Sequence, residues 1–151
     1  MILVDTSVWI GLLSGRKRPS IPEADLLRFV TCGPIVQEVL QGLRPTAESD
    51  SFREAFLALP MLSNPMTASL FPRAAEIYRL GRWRGVTIRS SVDCLIAAVA
   101  IENRVSVWHR DRDFSASPHT PDCRKYATSP NVIRILHSDL PPIQASCYPE
   151  P

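Results

Sequence analysis

Lysine is nearly missing from this chain of 151 residues: of its 17 basic residues only Lys17 and Lys125 are lysines. The rest are arginine, which suits bidentate contact with phosphate, although an arginine bias also follows from genome composition alone. A strong charge of one sign is missing too, since the formal net charge is +2. Such a balance does not by itself mark a polyanionic partner. The four cysteines, at 32, 94, 123 and 147, never fall in Cys-x-x-Cys spacing, which argues against a zinc site. No apolar stretch reaches the roughly 18–20 residues that cross a bilayer. Met1 leads to Asp5 with no basic leader, apolar leader core or cleavage site. These absences point to a cytoplasmic, reduced protein with four free thiols and no membrane partner.

What is present is a core. The chain is 45% hydrophobic and 21% charged, the balance of one globular domain. Ile2-Leu3-Val4 is a short unalternating apolar run, which fits a strand buried on both faces. Asp5, Thr6 and Ser7 then offer capping side chains to a helix through Val8, Trp9, Ile10, Leu12 and Leu13. Ser20 caps a second helix, read through Leu26, Leu27 and Val30 and broken at Gly33-Pro34. Helical spacing recurs over 35–43 and 48–59, and Met61-Leu62 is a short strand. Thr67 is placed as the cap of a helix running through Leu80, with Pro72 inside its pattern. Ser90 opens the clearest helix, 91–103, in which Cys94 is a buried thiol. Strands follow at 105–108 and 132–136, with a Pro-, Ser- and Thr-rich loop over 115–130 between them. The domain is drawn as 1–138, with 139–151 as a disordered tail. Short unalternating strands separated by helices imply an α/β class with a parallel sheet flanked by helices.

In such folds sites gather at the carboxyl ends of the strands, which gives the acids meaning. Asp5 directly follows the first strand, and Asp111 and Asp113 follow the strand 105–108. Asp93 sits in the first turn of its helix, and Ile96, Ala97 and Ala100 at the following helical spacings turn it inward. Glu38 lies at the edge of the buried face of 35–43. Singly, each acid has an ordinary explanation: Asp5 a helix cap, Asp93 the closing member of a capping box with Ser90, Glu38 a solvated helix residue, Asp111 and Asp113 turn residues. Together they would repel one another unless a cation sat among them. A hard divalent ion with oxygen ligands resolves the conflict.

The motifs also resemble a family. Met1-Ile2-Leu3-Val4-Asp5-Thr6-Ser7-Val8-Trp9-Ile10 resembles the opening of the PIN-domain ribonucleases, most closely the VapC toxins of bacterial toxin–antitoxin pairs. Val36-Gln37-Glu38-Val39-Leu40-Gln41-Gly42-Leu43, Asp93-Cys94-Leu95-Ile96-Ala97-Ala98-Val99-Ala100 and Val107-Trp108-His109-Arg110-Asp111-Arg112-Asp113-Phe114 are similar to the second, third and fourth motifs, in the family's order. The resemblance implies a three-layer α/β/α sandwich around a short parallel sheet. It implies endonucleolytic cleavage of RNA, dependent on Mg²⁺ or Mn²⁺, by in-line attack of a metal-activated water. It places Asp5, Glu38, Asp93 and Asp111 or Asp113 at the metal, with Ser7 holding a metal-bound water or a carboxylate. It suggests a homodimer and a small antitoxin that blocks the acidic pocket. The insertion 115–130 and the segment after Leu136 depart from the family pattern. Between the two candidates in the fourth motif, Asp111 lies nearer the sheet edge and is assigned to the metal. Asp113, beside Phe114, is assigned mainly to holding the turn.

From Tyr78 to Val92 there is no acid, while Arg79, Arg82, Arg84 and Arg89 occur with Trp83 among them. Arg82, Arg84 and Arg89 are therefore candidates for RNA contact. The ordinary alternative is a solvated helix end, where arginine also suits the dipole. His109 stands beside the acids and is read as structural or exposed ahead of a proton-transfer role, and His119 and His137 carry no signal. Competing functions are another metal-dependent nuclease or phosphohydrolase, or a silent module that binds RNA or an antitoxin. An aspartyl-phosphate phosphatase would carry a second Asp two after the first, where this chain has Ser7.

Overall fold

A computed structural model describes residues 1–14, 26–85, 87–88 and 90–109. Four strands, β1 (Ile2–Val4), β2 (Phe29–Cys32), β3 (Met61–Leu62) and β4 (Ser106–Trp108), form one parallel sheet in the order β3-β2-β1-β4. The described helices are α1 (Thr6–Leu13), α2 (Gly33–Gln41), α3 (Ala47–Leu57), α4 (Leu70–Trp83) and α5 (Ser91–Glu102). Every residue of β1 and β2 is buried. Successive side chains of a strand point to opposite faces, so both faces of the sheet are covered and its strands need no alternation.

The chain builds the sheet from the middle. β2 and β3 are added to one side of β1, and β4 then crosses to the other side. The order therefore reverses between β1 and β4, and the crevice beyond their carboxyl ends is where an open α/β sheet places its ligand. The register pairs Val4 with Trp108, which sets the next residues, Asp5 and His109, side by side. The Asp5 amide donates to the Trp108 carbonyl at 2.8 Å and closes this edge.

Aromatic packing holds α1 to the sheet. Trp9 is buried and donates from Nε1 to the Val4 carbonyl at 3.0 Å. Its ring meets Phe29, Phe52 and Phe56 edge-on, with centroids 6.3, 6.1 and 5.1 Å away. Offset and edge-on pairs of this kind add to the stabilisation from buried area.

Three expectations need correction. Phe29-Val30-Thr31-Cys32 is the strand β2, whereas helical spacing was read through Val30. Helical structure ends at Leu26, and Leu27 and Arg28 make a turn. An aromatic and two β-branched residues fit a doubly buried strand better than a helix end. Gly33-Pro34 does not merely break a helix; it begins α2, with Pro34 in the first turn, where its missing N–H costs nothing. α4 starts at Leu70, not beside Thr67, whose hydroxyl instead meets the Ser69 hydroxyl at 2.9 Å. Pro72 falls in the first turn of α4, where an N–H has no intrahelical acceptor. The strand expected at 132–136, the loop 115–130, the tail 139–151 and the helix opened by Ser20 up to residue 25 lie outside the described residues. No described helix is long and apolar enough to cross a membrane.

Candidate active site

Asp5 leaves β1 in extended conformation and is the N-cap of α1. Its Oδ2 accepts from the Ser7 amide at 3.1 Å and the Ser7 hydroxyl at 2.6 Å. Asp5 is thus both the expected cap and a residue of the sheet's crevice. Across the register, His109 Nδ1 lies 3.9 Å from the same Oδ2, too long for a direct hydrogen bond but an ion pair when the ring is protonated. Burial would raise the Asp5 pKa. The imidazole of His109, together with the Ser7 hydroxyl and amide, outweighs it and holds the carboxyl below its ordinary value.

Glu38 comes to the same edge from α2, which begins where β2 ends. The buried Thr6 hydroxyl donates to Glu38 Oε2 at 2.6 Å. This contact spans 32 residues of chain and locks the carboxylate toward α1. Cys32 is the last residue of β2 and the N-cap of α2. Burial pushes its thiol up to about 11, and the charges of Asp5 and Glu38 add to the rise. Cys32 and Cys94 are both buried and free, as expected, while Cys123 and Cys147 lie outside the described residues.

Asp93 enters from α5. The Ser90 hydroxyl caps this helix by accepting from the Val92 amide at 3.1 Å. The capping box expected as the alternative role of Asp93 is not made, and among the described residues no donor bonds its carboxylate. Burial, together with the charges of Asp5 and Glu38, raises the Asp93 pKa to about 6 against the opposing pull of His109. Asp5, Glu38 and Asp93, supplied by three separate sequence motifs, are thus electrostatically coupled.

Among the described residues, no three His, Cys, Asp or Glu side chains already stand close enough to hold an ion between them. Asp111 and Asp113, read from the fourth motif, lie outside the described residues. The donors that are described suit a hard cation. They are all carboxylate oxygens; among the described residues Asp5 and Glu38 are each hydrogen-bonded through one oxygen, and Asp93 is pushed toward protonation by burial and by its negative neighbours.

Arg82 lies in the last turn of α4 and Arg84 is its C-cap; both are exposed, and Arg89 lies outside the described residues. Sequence reasoning missed the role of Thr6. No local signal marks it, because its partner Glu38 is 32 residues away along the chain. The parallel register likewise turns His109 from a bystander into the neighbour of Asp5.

The chain matches the family model described as PIN domain over residues 2–119, a span that contains the acids of all four motifs. It is 37% identical over 120 residues to ribonuclease VapC11 of Mycobacterium tuberculosis, covering 76% of this chain and 89% of that protein. Among solved structures, VapC20 of Mycobacterium tuberculosis, described as a sarcin–ricin loop cleaving toxin, is 25% identical with a TM-score of 0.52, covering 76% of this chain and 93% of the other. FitAcB from Neisseria gonorrhoeae shares the fold with a TM-score of 0.55 at 21% identity, over 74% of this chain and 88% of that one. PIN-domain ribonucleases are in general metal-dependent, which agrees with the all-carboxylate donor set at the sheet edge. The α/β architecture, the placement of the acids and these likenesses agree: the chain belongs to the PIN-domain family and, within it, groups with the VapC ribonucleases.

Proposed function

We propose that this protein is the ribonuclease toxin of a toxin–antitoxin pair and that it cuts RNA internally at the Asp5, Glu38 and Asp93 cluster. The observation that supports the reading is the coupling of three carboxylates beside the reversal of strand order, where burial and the charges of Asp5 and Glu38 raise Asp93 to about 6. Such a cluster is costly to a fold that has no cation to hold.

Asp5, Glu38, Asp93 and Asp111 are the residues that hold Mg²⁺, or Mn²⁺ in its place, with Asp113 supporting the turn and able to join the ligands. When bound, the ion supplies an acidic water near neutral pH and charge that offsets the phosphate's. The protein's own groups prepare that site. The Ser7 hydroxyl and amide hold Oδ2 of Asp5 and leave Oδ1 without a hydrogen bond among the described residues. Thr6 does the same for Glu38 through Oε2. Arg82, Arg84 and Arg89 draw the RNA backbone toward the helix that carries Asp93. A small antitoxin that covers the acidic pocket, a homodimer, a cytoplasmic setting and a nuclease domain over 1–138 with a tail over 139–151 complete the reading.

The test is an RNA cleavage assay with mapped ends, with Mg²⁺ and with excess EDTA. Internal cuts that need the metal and vanish in folded Asp5→Asn protein are expected. Undiminished cutting in EDTA or by that variant would refute the metal mechanism, and cutting of DNA alone would move the protein to a different nuclease class.

A further inference from the structure

Trp83 is 82% exposed, while Trp9 is buried and Trp108 packs against Phe29. An indole left this bare at the end of a helix leaves a large apolar face in water. It is not isolated. With Glu76, Arg79, Leu80 and Arg82 it lines a concavity of about 490 Å³ on the second half of α4. Arg79 lies four residues before Trp83 and three before Arg82, so the three share one face of the helix. Arg79 and Arg82 are exposed and have no carboxylate within ion-pair distance among the described residues, Glu76 included. Two arginines against one glutamate leave the concavity positive.

Its position matters as much as its chemistry. α4 and α5 pack closely. Tyr78 and Arg79 line the same groove as Ser91, Cys94 and Leu95, so the second half of α4 lies beside the first turn of α5, which carries Asp93. The concavity therefore lies on the helix packed against the one that carries Asp93.

We propose that Trp83, with Arg79 and Arg82, is a docking site for an unpaired nucleotide of the RNA substrate: the indole stacks on a base and the guanidinium groups take the adjoining phosphates. This rests on the ribonuclease reading and adds a preference to it. A stacking platform accepts any base but needs that base free of a duplex. The site therefore selects single-stranded or looped RNA.

The test is binding of a short fluorescein-labelled RNA to the full chain in EDTA, which keeps the RNA intact, read by anisotropy for the single strand and for the same sequence in a duplex. Trp83→Ala should bind the single strand about tenfold more weakly. Trp83→Phe should retain most of the affinity, and duplex binding should be equal in all three proteins. Arg79→Ala should lower the salt slope by about one. Parent-like single-strand affinity in Trp83→Ala overturns the proposal, and a change confined to the dimer dissociation constant in sedimentation assigns the indole to a second copy instead. RNA bound through Trp83 but never cut, even with Mg²⁺, would leave this site standing and remove the ribonuclease reading. No RNA binding by the parent removes both.

Discussion

Asp93 titrates near 6 because burial withdraws it from water and because Asp5 and Glu38 add negative charge, opposed only by His109. Between the ordinary carboxyl value and about 6 the folded state holds a proton that the unfolded state has lost. Metal-free protein therefore loses stability as pH rises through this window, and the loss is complete above it. Asp93→Asn removes the conflict. Above pH 7 without metal, that variant should melt higher than the parent by roughly 2–4 °C, corresponding to about 1 kcal/mol for a half-buried, solvent-screened group. Near pH 4 the two should melt alike. Scanning calorimetry at both pH values checks this, and equal melting points at high pH would show that burial and the neighbouring charges do not destabilise the ionised Asp93. Asp5, Glu38 and Asp93 were legible in the sequence because each sits at a landmark: directly after a strand, on the edge of an apolar face, in a capped first turn. Thr6 was not, since its partner Glu38 is 32 residues away and only the packing of α1 against α2 brings them together.

At the scale of elements, α5 depends on its start. The Ser90 hydroxyl satisfies the Val92 amide and thereby fixes the turn that holds Asp93. Ser90→Ala should lower stability by about 1 kcal/mol, measured as a fall in the denaturant midpoint. Its cleavage rate should fall less than that of Asp93→Asn, because the carboxylate is still present. A loss of cleavage as complete as in Asp93→Asn would mean that the Ser90 hydroxyl itself serves the chemistry. The contrast between β1 and β2 shows where element reading succeeds and fails. Ile2-Leu3-Val4 runs straight into a cap at Asp5, so strand and helix separate cleanly. Phe29-Val30-Thr31-Cys32 follows leucines at 26 and 27, and the spacing 26, 27, 30 imitates a helix face. Pairing with β1 and β3 on both sides, a long-range fact, makes it a strand.

For the whole molecule, the near-neutral net charge of +2 conceals a division. The crevice is acidic, while the stretch leading to it has no acid from Tyr78 to Val92. Replacing Arg82, Arg84 and Arg89 together by Ala should weaken RNA binding and reduce the salt slope by up to about three. A parent-like slope in the triple variant would show that this flank does not meet phosphate. The sheet order makes the division useful, because the reversal between β1 and β4 opens the crevice where Asp5 and His109 meet. That reversal could not be read from the chain. Parallel strands were legible in their lack of alternation, but their order is set by which helices pack together.

The most direct measurement is calorimetric titration of Mg²⁺, and separately Mn²⁺, into the parent protein and into folded Asp5→Asn and Asp93→Asn. The parent should bind the ion and release a fraction of a proton near pH 6, as the metal displaces the Asp93 proton. Both variants should bind at least tenfold more weakly, and Asp93→Asn should release no such proton. Parent-like metal affinity in either variant would contradict the claim that these carboxylates form the metal site.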